Sequence, residues 1–183
     1  MCENCENFSK SPKKIRKITR IRLKNIALYY LERFDSSVDN LRQVLYRRIN
    51  GYVRQDSEFD KKQAEGWVED ILTEFETLGY LNDKRYAEVK VKSYLLSGKP
   101  ARYIKIKLNQ KGLDSQLVEN VLETQEYDPQ EMALKFAKKK RIGPFRPDEE
   151  IRKLNRQKDL AALVRAGFDY DVSLDVLSME NQL

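Results

Sequence analysis

Chemistry in this chain falls to carboxylates, lysines or one Cys-x-x-Cys pair, because its 183 residues contain no histidine. That absence removes the commonest general base, every Ser-His or Cys-His nucleophile system and all imidazole metal sites. Cys2 and Cys5 are the only cysteines. Zinc requires four ligands, and no second pair is present to complete the set. A redox pair of the thioredoxin type belongs at a strand-to-helix junction inside a packed domain, whereas this one lies in a polar stretch. Asn82 or Asp83, after Gly79-Tyr80-Leu81, caps the helix that follows, and Asp83 reads as such an N-cap rather than a metal ligand. Asp148, Glu149 and Glu150 fall in the first turn of an expected helix, where its dipole favours acids. Neither G-x-x-x-x-G-K-[ST] nor G-x-G-x-x-G occurs. The expectation is a protein that is not an enzyme and carries no metal or cofactor.

Charge is the stronger signal. Lysine and arginine number 35 against 29 acids, a net charge of +6 that favours a polyanionic or acidic partner. It is unevenly placed. Asp56 to Glu76 holds eight acids and two lysines, whereas Lys84 to Lys111 holds nine bases and only Glu88 as an acid. The candidate partner-binding residues are therefore Lys84, Arg85, Lys99, Arg102, Lys105, Lys107 and Lys111. A second cluster supplies Lys135, Lys138, Lys139 and Arg141, with Lys140 between them. Stacking aromatics beside such cations would suggest direct contact with single-stranded nucleic acid; Tyr94 and Tyr103 are the candidates, although helical spacing also suits both to a core.

The elements that must carry these residues are helices. Seven Gly and five Pro are too few for turn-dense sandwiches or barrels, and apolar residues recur at helical spacing. The expected inward faces are Leu23, Ala27, Leu31 and Phe34; Leu41, Leu45 and Ile49; and Trp67, Ile71, Phe75 and Leu78. Further along come Ala87 and Val91; Ile104 and Leu108; and Leu117 and Val121. Ala133 and Ala137; Ile151, Leu154, Leu160 and Leu163; and Val172 and Val176 complete the set. Ile104 to Leu108 also alternates with period two, as a strand would. Pro100 before it and Gly112 after it favour a capped helix. Asp128-Pro129-Gln130-Glu131 is a strong helix start. Residues 1–20 read as a basic tail. No secretory segment follows Met1 and no apolar run reaches membrane-spanning length, so a cytoplasmic protein without a membrane partner is expected.

The helices repeat. Leu108, Gly112-Leu113-Asp114, Leu117 and Val121-Leu122 return 55 positions later as Leu163, Gly167-Phe168-Asp169, Val172 and Val176-Leu177. Ala27-x-x-x-Leu31, Ala87-x-x-x-Val91 and Ala133-x-x-x-Ala137 open three successive modules. The expected fold class is all-α: three tandem three-helix repeats at 21–81, 82–127 and 128–183, sharing apolar surface end to end in an elongated, curved rod.

Leu78-Gly79-Tyr80-Leu81-Asn82-Asp83-Lys84-Arg85-Tyr86-Ala87, followed by Gly98, Ile104, Leu108 and Lys111-Gly112-Leu113, resembles the middle module of RecX-family recombination regulators. Ala27-Leu28-x-x-Leu31 and Ser36-x-x-x-x-Leu41-Arg42-x-x-Leu45 resemble the first module. The resemblance covers about 22–178. It implies a non-enzymatic regulator that lodges in the groove of the RecA recombinase filament on single-stranded DNA and inhibits its ATPase and recombinase activity; the chain itself is expected to be a monomer. The family commonly carries an Arg near the break in its middle module, where this chain has Ser97-Gly98-Lys99-Pro100; Lys99 and Arg102 are the local substitutes. The rival expectation is a helical protein that binds DNA directly, without RecA.

Overall fold

The computed structural model describes residues 16–179; Cys2, Cys5 and most of the expected basic tail lie outside them. Among the described residues there are nine α-helices, one 3-10 turn and no strand. In chain order they are α1 (Arg20–Leu31), α2 (Val38–Val53), α3 (Lys61–Thr77), α4 (Asp83–Leu96), α5 (Ala101–Asn109), α6 (Ser115–Glu123), α7 (Pro129–Lys140), the 3-10 turn Gly143–Phe145, α8 (Glu149–Ala166) and α9 (Tyr170–Ser178).

Short polar side chains start most of them by accepting an otherwise unpaired amide of the first turn. Asp60 accepts from Gln63, Asn82 from Arg85, Asp114 from Leu117 and Asp128 from Gln130, at 2.8–3.0 Å. The stops repeat as well. The amide of Leu113 donates to Leu108 O and that of Phe168 to Leu163 O, both at 3.2 Å, across Gly112 (φ 75°) and Gly167 (φ 105°). Glycine reaches this left-handed region without a Cβ clash. The 55-residue echo is thus the same helix-ending turn used twice.

Three apolar clusters form. Leu23, Leu41, Leu45, Ile71 and Phe75 centre the first, on α1–α3; Ala87, Val91, Ile104, Leu108 and Val118 the second, on α4–α6; Ala133, Ala137, Leu163 and Val176 the third, on α7–α9. The well-developed helix pairs all lie inside these triplets: α2 and α1 on α3, α4 and α5 on α6, α7 and α8 on α9. Between triplets the joints are narrower and partly polar. Val38 N donates to Asp83 Oδ1 at 2.9 Å, Lys111 Nζ to Asn40 Oδ1 at 3.0 Å, and the Ser37 hydroxyl to Lys111 O. Gly167 lies against Pro100 and Tyr103 at the other joint.

Several expectations need correction. Ile18, counted with the tail, is buried in the first cluster. Phe34 is exposed because α1 stops at Leu31, although its ring still leans on Tyr30 with centroids 5.3 Å apart. Leu78 is the C-cap of α3 and also exposed. Ile151 and Leu154 are exposed because α8, at 18 residues, outruns its partners α7 (12) and α9 (9). Its apolar packing is confined to its second half, through Leu160 and Leu163, while Arg152 in the first half donates to Met179 O at 2.7 Å. The end of α7, expected at Gly143-Pro144, is set by Arg141 in the left-handed region, φ 53°. Gly143 is needed for contact instead: a Cβ there would lie 2.6 Å from Leu177 Cδ2. Asp83 is not the cap of its own helix. Asn82 is, and the Asp83 carboxylate reaches α2. Ala101–Asn109 is helix, as its flanking Pro and Gly require, and Tyr127 Oη caps it by accepting the Ala101 amide at 3.3 Å.

Candidate partner-binding surface

The basic residues divide by what already holds them. On α5, Ile104 and Leu108 anchor the helix in the second core, which turns Arg102, Lys105 and Lys107 outward. Arg102 is exposed, with no ion pair among the described residues. Lys105 is engaged: its Nζ lies 2.7 Å from Glu119 Oε1 and ties α5 to α6. Lys107 reaches Gln110 at 3.2 Å and lies 5.8 Å from the Tyr103 ring centroid, with Lys99 Nζ at 4.9 Å from the same ring. Tyr103 packs edge-on against Tyr94, centroids 5.9 Å apart, so both tyrosines are half-buried packing residues. Tyr103 still offers its face to two cations.

Lys111 is a joint residue, bonded to α2 through Asn40 and Ser37. Lys135 pairs with Glu131 one turn back, at 2.8 Å. Lys138 and Lys139 are exposed in the last turn of α7, at the helix end its dipole makes favourable for cations, and Arg141 follows them. Lys84 and Arg85 are exposed in the first turn of α4.

Two groups are brought together that the sequence keeps apart. Lys99, Tyr103, Phe136, Lys140 and Arg165 line a cleft of about 470 Å³ between the second and third triplets. Arg165 is a member that charge density does not point to: it stands alone in the last turn of α8, a helix whose sequence signal is its apolar stripe. At the other joint, Arg85 lines a larger cleft of about 980 Å³ with Tyr29, Phe34 and Tyr80. Of the candidate cations, Lys99 lines the first cleft and Arg85 the second, whereas Lys105, Lys111 and Lys135 are held by partners inside the chain. No described helix is long and apolar enough to cross a membrane.

A curated relative from Myxococcus xanthus, described as regulatory protein RecX, is 36% identical over 170 residues, spanning 92% of this chain and 90% of its own length. The chain belongs to the RecX family. A second RecX regulatory protein, from Agrobacterium fabrum, is 28% identical over 162 residues, 87% of this chain and 83% of the relative. The model of the RecX second three-helix domain matches residues 82–122. That match holds α4 to α6 and seven of the candidate cations, from Lys84 to Lys111.

The RecX fold is also seen in solved structures. The crystal structure of RecX from Lactobacillus salivarius superposes with a TM-score of 0.62 at 22% identity, covering 86% of this chain and 94% of that one. A second RecX crystal structure gives 0.65 at 22%, covering 87% and 73%. The family is one of regulatory proteins, and this chain is a regulator rather than an enzyme.

Proposed function

We propose that this RecX-family chain binds the RecA filament on single-stranded DNA, lies in its helical groove and inhibits RecA's ATPase and recombinase activity, and so moderates recombination and repair. The observation that carries this reading is a set of exposed cations that no acid neutralises among the described residues. Lys84, Arg102, Lys138, Lys139 and Arg141 are exposed and have no ion-pair partner among the described residues. Such charge steers a protein to a polyanionic or acidic groove and fixes its register there. Three helical units at 21–81, 82–127 and 128–183, joined in a row, suit contact with more than one filament protomer. A regulator holding neighbouring protomers slows the motions that ATP turnover needs. The chain works in the cytoplasm as a monomer, with no cofactor.

The test is RecA's DNA-dependent ATPase with increasing amounts of this chain. Arg102→Glu combined with Lys138→Glu and Lys139→Glu should raise the concentration needed for inhibition at least tenfold while helicity by circular dichroism stays the same. Unchanged inhibition removes this surface from the contact. Electron cryomicroscopy of the chain on RecA filaments should show density along the groove.

Direct DNA binding without RecA is favoured by the cleft of Lys99, Lys140 and Arg165 beside Tyr103 and Phe136, since cations with aromatic faces suit a single strand. Sub-micromolar binding to naked single-stranded DNA, weakening steeply with salt, would select this second reading.

A further inference from the structure

The larger joint cleft differs in chemistry from the rest of the surface. Its walls are the outer face of α1 with the loop behind it, and the start of α4; its apolar lining is Leu28, Tyr29, Phe34, Tyr80 and Val89, over Tyr86. Burial holds the Tyr86 hydroxyl above its ordinary pKa, and the surrounding tyrosines and acids add to that. The lining side chains are large and wet: Phe34 is 57% exposed, Tyr80 54% and Val89 51%. Scattered exposed apolar residues are ordinary. Several converging on one concavity mark a surface that another molecule covers.

Charge at the mouth says what kind of molecule. Glu32 and Asp35 both line the cleft, and neither has an ion-pair partner among the described residues. Glu32 is also the C-cap of α1, so the carbonyl end of that helix adds to the negative field. Arg85 stands on the opposite wall. A phosphate backbone would meet two carboxylates and a helix C-terminus on this wall. The Arg33 guanidinium there is already stacked on the Tyr29 ring, 4.1 Å from its centroid, leaving Arg85 across the cleft as the facing cation. A protein side chain with a cation next to it would find both an apolar slot and a counter-charge.

We propose that this cleft docks a protein segment that inserts one large apolar side chain between α1 and α4 and sets an adjoining lysine or arginine against Glu32 and Asp35. This rests on the proposed function in one respect: the segment belongs to a RecA protomer of the filament. Docking here closes the first triplet onto the second at the joint that Val38 and Asp83 already share. The cationic surface gives long-range attraction to the filament, and the cleft gives a short-range anchor.

The experiment measures binding of the full-length chain, carrying a fluorescent label, to RecA filaments on single-stranded DNA. Val89→Asp puts a charge in the slot, and Glu32→Lys with Asp35→Lys reverses the mouth. All three positions are exposed, and thermal unfolding checks that each variant folds as the parent does. Each variant should bind at least tenfold more weakly. Binding within twofold of the parent for both overturns the cleft and leaves the RecA reading standing. No binding by the unaltered chain overturns both. An equal loss on naked single-stranded DNA assigns the cleft to nucleic acid and overturns the proposal.

A second copy of the chain is the remaining occupant to test. Leu154 is 83% exposed between Lys153 and Arg156, the same combination of apolar anchor and cation. Concentration-dependent association of the chain alone in sedimentation velocity, lost in Val89→Asp, would assign the cleft to self-association and overturn the RecA assignment.

Discussion

The carboxylate of Asp83 serves a helix that is not its own: its Oδ1 accepts the backbone amide of Val38 at 2.9 Å, in the first turn of α2. Asn82, one residue earlier, caps α4 by accepting the Arg85 amide at the same distance. Neighbouring side chains therefore do different work, one starting a helix and the other tying two triplets together. Both substitutions to Ala should cost about 1 kcal/mol, the usual worth of such a cap. Their effects on amide hydrogen exchange should separate. Asp83→Ala should speed exchange at Val38, whereas Asn82→Ala should speed it at Arg85 and leave Val38 protected. Equal exchange at Val38 in both would dissolve the distinction.

Gly79 and Gly112 have nearly the same backbone, φ 74° and 75°, in different surroundings. A Cβ on Gly79 meets nothing within 4 Å, whereas one on Gly112 collides with the Asp39 side chain. Asp39 is itself held by Arg42 and Gln43, each at 2.9 Å. Gly79→Ala should cost the left-handed strain alone, about 1–2 kcal/mol. Gly112→Ala should cost that plus about 1–3 kcal/mol for overpacking a joint whose neighbour cannot swing aside freely. Urea unfolding of the two variants gives the comparison. Equal losses would mean that the joint relaxes without cost.

What was legible in the sequence followed from local rules. Asp128-Pro129 starts α7 and Gly112 ends the turn after α5 because capping and left-handed backbone are decided within a few residues. The alternating run Ile104 to Leu108 is helical because Pro100 and Gly112 bound it. What was not legible depends on distant parts meeting. Nothing near Asp83 announces Val38, 45 positions away. The exposure of Ile151 and Leu154 depends on α8 outrunning α7 and α9, a comparison of lengths that periodicity does not contain. Among the candidate cations, residue type and density were readable, but not which ones find a partner. Lys105 and Lys135 meet Glu119 and Glu131, whereas Arg102 and Lys138 meet no acid among the described residues.

Asp159 is a buried carboxylate of the third triplet. Arg146 grips both of its oxygens at 2.8 Å, and the Gly143 amide adds a third bond at 3.0 Å. Burial pushes its pKa up, but the Arg146 and Gly143 bonds outweigh that and hold it below the ordinary 3.8. The folded chain therefore binds this proton less readily than the unfolded one. The stability it contributes is complete above the ordinary carboxylate range and is lost as pH falls through the depressed value. Asp159→Ala should cost about 2–3 kcal/mol at neutral pH, since it leaves the Gly143 amide and a part-buried Arg146 unpaired. The variant should unfold in acid with a shallower pH dependence than the parent. Parallel curves below pH ~4 would show that the pair does not carry this term.

Lys105 lies in the middle of the basic stretch, yet its partner is inside the chain, Glu119 on α6. Both side chains are over 40% exposed, so the pair adds little to stability, within about 1 kcal/mol. Its importance is that it takes Lys105 out of the free cationic surface. Lys105→Glu alone places two acids side by side and also removes a cation from the face Arg102 occupies, so a loss of filament binding would be ambiguous. The exchange Lys105→Glu with Glu119→Lys resolves it by restoring the pair and the net charge with the cation moved from α5 to α6. Restored RecA inhibition in the exchanged chain means that Lys105 acts by holding α5 on α6 while Arg102 makes the outward contact. Inhibition that stays weak in the exchanged chain while its thermal stability recovers would place the Lys105 ammonium itself in the groove.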